Sequence, residues 1–316
     1  MRRAAAMALI LFALASALSG CRPLVPETDA QITVYATFYP FYALTEGVAR
    51  DVPDTQLHCL VQPQDGCLRS YQLSDWDAAL LARSADAVIA GGRGLESFED
   101  VLFGWGEDGP AISAVLYNLE LYDQGQAAGG EPQPHFQGPN PHLYMSLEGA
   151  KQIVESISAT MVSLDPMYSE RYIQNTHAAI VALGELYEAS KAKLEPYAGR
   201  RVALMSEALV YPARDYALEV VERIERETGA DFGDNELVAW MERLEAADAD
   251  VVLIEKQAPQ ALKEALEAAG YAIASIDVLS TNVEGEGFDR YLEIQSENAR
   301  ALLKAFEGAE NRKEEH

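Results

Sequence analysis

Apolar residues along the chain follow two spacings, short continuous runs of strand length and longer stretches with helical periodicity. The longest helical stretch lies between Asp165 and Pro196, where Asp165 is a suitable N-cap, Pro166 fits the first turn and Pro196 ends the run. A helix of that length would measure roughly 45 Å, which favours a rod between two globular lobes over a coiled coil of only about four heptads. Its apolar positions form two adjacent rows, Ile173, Ile180, Tyr187 and Leu194, and beside them Tyr172, Ala179 and Leu186.

Strand-length and helix-length runs alternate on both sides of this stretch. Strands are predicted at 32–36, 57–61, 87–90, 202–205, 251–254 and 273–276. Helices are predicted at 41–50, 74–83, 147–163, 212–228, 236–247, 259–269 and 291–306. Such alternation is typical of parallel sheets covered by helices on both faces. The sequence therefore predicts an α/β fold with two Rossmann-like lobes bridged by one long α-helix.

The start of the chain has the features of an export signal. Basic residues precede an apolar run at about 4–18, which is short for a membrane span, and a small-residue cleavage site follows. Leu18-Ser19-Gly20-Cys21 resembles the lipobox of bacterial lipoproteins, which implies acylation of Cys21; a plain signal peptide or short anchor is the alternative. The predicted organisation is a signal peptide at 1–20, a lipid-anchored tether at 21–30, an N-terminal α/β lobe at 31–164, a linker helix at 165–196, a C-terminal α/β lobe at 197–310 and a tail at 311–316.

Charge and cysteine content narrow the possible partners. The formal net charge of −26 disfavours binding to phosphate backbones, so nucleic acid is excluded as a partner. The chain has three cysteines. If Cys21 carries lipid, Cys59 and Cys67 remain in an oxidising compartment, where a disulfide is expected. Two thiols acting as soft metal ligands are the alternative.

A series of short motifs occurs in a characteristic order along the mature chain. After the lipobox come Tyr35-Ala36-Thr37-Phe38-Tyr39-Pro40, Gly94-Leu95-Glu96, Asn140-Pro141-His142-Leu143-Tyr144, the helix opening with Asp165-Pro166, and Asp277-Val278-Leu279-Ser280-Thr281-Asn282. In order and spacing the chain resembles the substrate-binding lipoproteins of zinc- and manganese-type ABC importers, from about residue 32 to residue 306. The resemblance implies two α/β lobes bridged by one rigid helix, with a metal ion bound in the cleft between them.

The resemblance also implies four metal ligands, of which this sequence retains two. His142 matches the second ligand and Asp277 the fourth. The first position, normally a histidine two residues before a tyrosine, is Arg69 ahead of Tyr71. Arginine keeps its proton and has no lone pair to give a metal ion. The quartet is therefore incomplete at its first position.

The third position departs from the family pattern as well. The downstream tyrosines place Ser206 rather than Glu207 in the ligand register, and serine is a poor ligand. In one interpretation His142, Asp277 and a slightly shifted Glu207 hold a divalent cation with water. In the other, Arg69 pairs with a carboxylate of the cleft and replaces the cation with its own charge. His135 is a further candidate, either as a spare ligand or as a metal collector.

Enzyme signatures are weak in this sequence. Gly91-Gly92-Arg93-Gly94 follows a strand, but it lacks the residues and spacing of a phosphate-binding loop. No nucleophile pattern of the Ser-His-Asp or Cys-His kind stands out, so we do not expect an enzyme or an organic cofactor. The sequence predicts a monomeric extracytoplasmic receptor, held at the membrane by lipid, that captures zinc or manganese for an ABC permease. The alternative is a surface adhesin or scaffold that has lost transport, with Arg69 filling the metal site.

Overall fold

The computed structural model describes residues 32–61, 71–122, 138–223, 234–279 and 287–314. Within these ranges the chain forms two four-stranded parallel sheets with helices packed against them, which confirms the predicted α/β fold class. We call the part around each sheet a lobe. Cys21 and Cys67 lie outside the described residues, so the lipid anchor and the Cys59–Cys67 disulfide stay predictions. None of the helices in the described ranges is apolar over a length that would cross a membrane.

The first lobe is built on the sheet β2-β1-β3-β4, in which every neighbouring pair is parallel. Its strands are β1 (Ile32–Ala36), β2 (Thr55–Cys59), β3 (Ala87–Ala90) and β4 (Ala111–Ala114). Its helices are α1 (Tyr39–Ala49), α2 (Asp75–Ser84), α3 (Glu99–Gly104) and α4 (Leu147–Leu164). The central strands β1 and β3 are almost entirely buried, as expected for a sheet covered on both faces.

The second lobe repeats this topology with the order β6-β5-β7-β8. Its strands are β5 (Arg201–Leu204), β6 (Glu219–Arg223), β7 (Val251–Glu255) and β8 (Ala272–Ile276), again paired in parallel. The helix α5 (Ser169–Leu194) precedes this sheet, and the remaining helices are α6 (Val210–Asp215), α7 (Asp234–Ala247), α8 (Gln260–Ala268) and α9 (Gly287–Glu314).

The long predicted helix is present as α5, but it does not begin as expected. The chain first passes through a 3-10 turn at Pro166–Tyr168, and Asp165 makes no side-chain capping bond. Its carboxylate instead accepts a hydrogen bond of 3.2 Å from the Tyr172 hydroxyl. The N-cap prediction for Asp165 is wrong because this carboxylate is bonded by a side chain one turn into the helix.

The buried face of α5 is narrower than the two predicted rows. Ile173 is 57% exposed, so the row that begins with it does not enter the core at that end. The buried positions of the helix are Tyr172, Thr176, Ala179, Leu183, Ser190 and Leu194. The face therefore includes small and hydroxyl-bearing residues that an apolar pattern cannot identify; Thr176, for instance, bonds its hydroxyl to the carbonyl of Tyr172.

Three other sequence predictions need correction. The helix predicted at 212–228 ends at Asp215, and the following residues form β6. Ala217 has φ +54°, a left-handed conformation that ends the helix, and the paired valines after it favour a strand. The apolar pattern does not predict β4 or α3, because each is short and only partly buried. The predicted tail at 311–316 is helical as far as Glu314.

The two lobes are connected by α9 as well as by α5. Tyr291 is fully buried and its hydroxyl donates a 2.5 Å hydrogen bond to the carbonyl of Tyr144 in the first lobe. The first residues of α9 also bond to α1: the backbone N–H of Phe288 donates to Glu46 at 2.8 Å, and Asp289 pairs with Arg50 at 3.0 Å. The C-terminal helix therefore starts against the first lobe and packs along β8 of the second.

Candidate functional site

Because neighbouring strands in each sheet are parallel, their carboxyl ends meet at one edge, which is where α/β proteins bind ligands. In the first lobe, Thr37 follows β1 and Gly91 follows β3. In the second lobe, Met205 and Ser206 follow β5, Lys256 follows β7 and Asp277 follows β8. The predicted ligand Asp277 therefore lies at a strand end, with Lys256 at the end of the neighbouring strand.

Glu96 fixes the strand ends of the first lobe. Its carboxylate is 3% exposed and accepts hydrogen bonds from the Thr37 hydroxyl at 2.7 Å and from the N–H groups of Gly91 and Gly92 at 2.7 and 2.9 Å. Burial raises the pKa of Glu96 to about 7, and these three hydrogen bonds act in the opposite direction. The N–H groups that a phosphate-binding loop would offer to its ligand are thus bonded to a carboxylate of the chain itself, in agreement with the rejection of that motif.

The raised pKa of Glu96 predicts a pH-dependent stability. Because its pKa is higher in the folded state than the ordinary value of 4.5, its contribution is largest at low pH and is lost as pH rises through about 7. Relative to Glu96→Gln, which cannot titrate, the wild-type protein should lose about 1–3 kcal/mol of unfolding free energy between pH 5 and pH 8. Urea denaturation of both proteins at the two pH values measures this difference, and parallel pH profiles would contradict the prediction.

His142 is held in one orientation by Asn140. The backbone N–H of His142 and its Nδ1 both bond to the Asn140 Oδ1, at 3.0 and 2.9 Å. Asn140 is fully buried and its Nδ2 donates to the carbonyl of Glu207 at 2.9 Å, which identifies Oδ1 as the acceptor. The proton of the imidazole is therefore on Nδ1, and the lone pair of the neutral ring is on Nε2.

Glu207 of the second lobe lies next to His142, and Ser206 precedes it in the chain. Glu207 is buried, and its Oε1 is 3.7 Å from the Nδ1 of His142. This places its carboxylate near the ring nitrogen that carries the proton. Ser206 is 3% exposed, and its Oγ has no hydrogen-bond partner among the described residues. A buried hydroxyl without a partner costs free energy, so this position suits a polar ligand or a bound water.

Asp277 is the most firmly positioned of the predicted ligands. Its backbone N–H donates to the Asn298 Oδ1 at 2.8 Å, and Asn298 returns a bond of 2.9 Å to the Asp277 carbonyl. Its Oδ1 accepts from the N–H of Leu279 at 3.0 Å, and its Oδ2 lies 3.3 Å from the Nζ of Lys256. Burial raises the pKa of Tyr39 in the first lobe, and the negative charge of Asp277 contributes to that rise. The charge of Asp277 therefore acts on a tyrosine of the first lobe.

The predicted site residues thus divide into two pairs. His142 lies beside Glu207, and Asp277 lies beside Lys256. In the described ranges, no three histidine, cysteine, aspartate or glutamate side chains form a group that could hold a metal ion. Joining the pairs into one ligand set therefore requires side-chain movement.

Of the other predicted site residues, the structure describes Tyr71 and does not describe Arg69 and His135. Arg69 and His135 lie outside the described residues, so their roles stay predictions. The ring of Tyr71 packs edge-to-face on Phe98 at 5.8 Å and its carbonyl accepts a bond from Ser97, while its place in the cleft wall stays a prediction. Sequence reasoning missed Lys256, although its place directly after a buried strand, like that of Asp277, was a signal that could have identified it.

Comparison with solved structures supports the same fold. The chain is similar to the SBP FpvC from Pseudomonas aeruginosa in complex with Mn²⁺, with a TM-score of 0.74 and 22% identity over 88% of this chain and 99% of that one. It is also similar to a mutant of the laminin-binding adhesin Lmb from Streptococcus agalactiae, with a TM-score of 0.72 and 18% identity over 87% of this chain and 99% of that one.

A third similar structure is a metal-free point mutant of the periplasmic metal binding protein from Candidatus Liberibacter asiaticus. Its TM-score is 0.71 and its identity 19%, over 87% of this chain and 100% of that one. The family model ZnuA, described as zinc-uptake complex component A periplasmic, matches residues 34–305. The match covers most of the chain, and the protein therefore belongs to the ZnuA family.

Proposed function

We propose that this protein captures a divalent transition metal ion, zinc or manganese, between its lobes and delivers it to an ABC permease. The observation that carries the proposal is the orientation of His142. Its Nδ1–H is bonded to a buried asparagine, so the basic nitrogen Nε2 is fixed in direction. Histidine ligands of metal ions are typically held in this way, with the second ring nitrogen donating to an oxygen.

The proposed ligand set contains one nitrogen and carboxylate oxygens. His142 supplies Nε2, and Asp277 supplies an oxygen from the end of β8. Glu207 supplies a second carboxylate once its side chain turns away from the Nδ1 edge of the histidine. One imidazole with two carboxylates suits zinc, manganese and neighbouring first-row metals, so the donor set does not select one metal by chemistry alone. Structures of the similar protein FpvC with Mn²⁺ and with Ni²⁺ are in keeping with such a set.

The buried Ser206 hydroxyl adds a polar contact beside these ligands. A serine oxygen is a weak ligand, but it can donate to or accept from a water molecule that completes the coordination of the metal ion. We therefore assign Ser206 to the site as a partner of bound water and not as a direct ligand.

Metal content tests the proposed function. Protein purified without chelator should contain close to one zinc or manganese ion per chain, measured by inductively coupled plasma mass spectrometry. Chelator-treated protein should then show one binding site in calorimetric titrations with each metal. If neither titration gives heat and the purified protein carries no metal, the proposal is wrong and the adhesin or scaffold alternative gains support.

Cys21 is predicted to carry the lipid that anchors the protein to the membrane. Since Leu18-Ser19-Gly20-Cys21 matches a lipobox, Cys21→Ser should move the protein from the membrane fraction to the soluble fraction of the envelope. A single acyl chain binds membranes only weakly, so retention depends on the full modification of this cysteine. Immunoblotting of fractionated cells measures the change, and Cys59→Ser is the matched control that should leave the distribution unaltered. Membrane retention of the Cys21 variant would mean that the apolar leader itself is the anchor.

A further inference from the structure

We propose that Lys256 is a built-in competitor of the metal ion: its ammonium group occupies the carboxylate of Asp277 and must leave before a metal can bind there. This inference rests on the proposed function, because it concerns the same site. It assigns to Lys256 a role in setting affinity, which no ligand motif of the sequence indicates.

The backbone on both sides of the ion pair is fixed by the second sheet. The N–H of Lys256 donates to the carbonyl of Ile276 at 2.7 Å, directly before Asp277, so the two residues leave neighbouring strands side by side. The carbonyl of Lys256 in turn accepts a 2.8 Å bond from the Nζ of Lys263. The Lys256 Nζ reaches the Asp277 Oδ2 at 3.3 Å from this position.

The two partners of the pair differ in exposure and in the number of bonds that hold them. The Asp277 side chain is 6% exposed and is held by Leu279 and, through its backbone, by Asn298. The Lys256 side chain is 56% exposed, and its ammonium group is carried on a flexible chain of methylenes. An ion pair with one exposed partner is weak, because water solvates the released ammonium well. When a metal ion replaces Lys256 at this carboxylate, Asp277 therefore stays in place and the Lys256 side chain moves outward.

Charge explains why the exchange affects affinity. His142, Glu207 and Asp277 together carry two negative charges when the histidine is neutral, which matches one divalent cation. With Lys256 bonded to Asp277, the set is left with a single net negative charge, and an arriving cation meets an ammonium group. Lys256 thus lowers affinity for every divalent cation, and only ions that bind the remaining donors strongly displace it.

Matched variants test this inference by calorimetric titration with zinc and with manganese. Lys256→Met keeps a long unbranched side chain without the charge, and it should bind metal about 5–10 times more tightly than wild type, because both the competing ion pair and the repulsion of the incoming cation are lost. Lys256→Arg keeps a cation at this position and should stay within about threefold of wild type. Lys304→Met removes a lysine charge from the exposed side of α9, away from Asp277, and it should also change affinity by less than about threefold.

The outcomes separate this inference from the proposed function. If wild type binds metal and Lys256→Met binds equally or more weakly, Lys256 is no competitor, while the receptor function stands. Equal tightening by Lys256→Met and Lys304→Met would show a general charge effect and overturn the specific role of the pair. If neither wild type nor any of the three variants binds, with unchanged thermal unfolding, the proposed function fails and this inference fails with it.

Discussion

Replacing His142 with alanine should lower the affinity for zinc or manganese by at least about 100-fold. Loss of groups that merely orient a ligand costs about 10–100-fold, and His142 is the nitrogen donor of the proposed set. The remaining carboxylates would still attract a cation, but oxygen donors alone hold zinc poorly. Calorimetric titration of the metal-free proteins measures the change.

One control and one further variant accompany this result. His177 is exposed on α5, so His177→Ala removes an imidazole that is not part of the proposed ligand set and should leave affinity unaltered. Asn140→Ala removes the acceptor of the Nδ1 proton, and it should weaken binding by about 10–100-fold. Unchanged binding by His142→Ala would exclude this histidine as a ligand and would point to a site built on other residues.

Replacing Tyr291 with alanine should have the largest effect on stability, about 3–5 kcal/mol of unfolding free energy. Tyr291 is fully buried at the start of α9, where its ring stacks parallel to that of Phe288 at 6.5 Å and its hydroxyl bonds to the first lobe. The variant loses both the packing of the ring and the bond to Tyr144. Urea denaturation followed by far-ultraviolet circular dichroism measures the loss.

A graded series separates the two contributions. Tyr291→Phe keeps the ring and removes only the hydroxyl, so it should cost about 1–2 kcal/mol, because the Tyr144 carbonyl and the Gln295 amide each lose one hydrogen-bond partner. Tyr117→Ala is the control, because this tyrosine is 59% exposed and its loss should cost less than about 1 kcal/mol. An equal cost for Tyr291→Phe and Tyr291→Ala would mean that the hydroxyl bond, and not packing, holds α9 to the first lobe.

The fold can be predicted wherever burial and secondary structure produce the same apolar pattern. The predicted bounds of β1 and β3 agree with the observed ones because each is an apolar run between polar turns. The failures occur where local pattern and tertiary context disagree. Residues 212–228 contain enough helix-forming side chains to suggest one helix, yet the left-handed Ala217 and pairing with β5 convert its middle into β6.

The site is predictable only in part. His142 and Asp277 stand in recognisable motifs, but their resemblance to ligands does not show what else contacts them. The contact between Asp277 and Lys256 depends on β7 and β8 being neighbours in the sheet, which spacing along the chain does not specify. The position of Glu207 beside Nδ1 likewise depends on how Asn140 joins the two lobes.

The attachment of α9 to both lobes bears on how cargo enters and leaves. A clamshell opening would have to separate Tyr291 from Tyr144, Phe288 from Glu46 and Asp289 from Arg50, in addition to bending α5. Because α5 and α9 both contact the two lobes, rotating one lobe against the other costs free energy in broken contacts. Rotating single side chains at the strand ends breaks far fewer contacts. Under the proposed function, loading and unloading proceed by ligand exchange at a stationary scaffold, and a docked permease extracts the ion by offering its own donors to the strand ends.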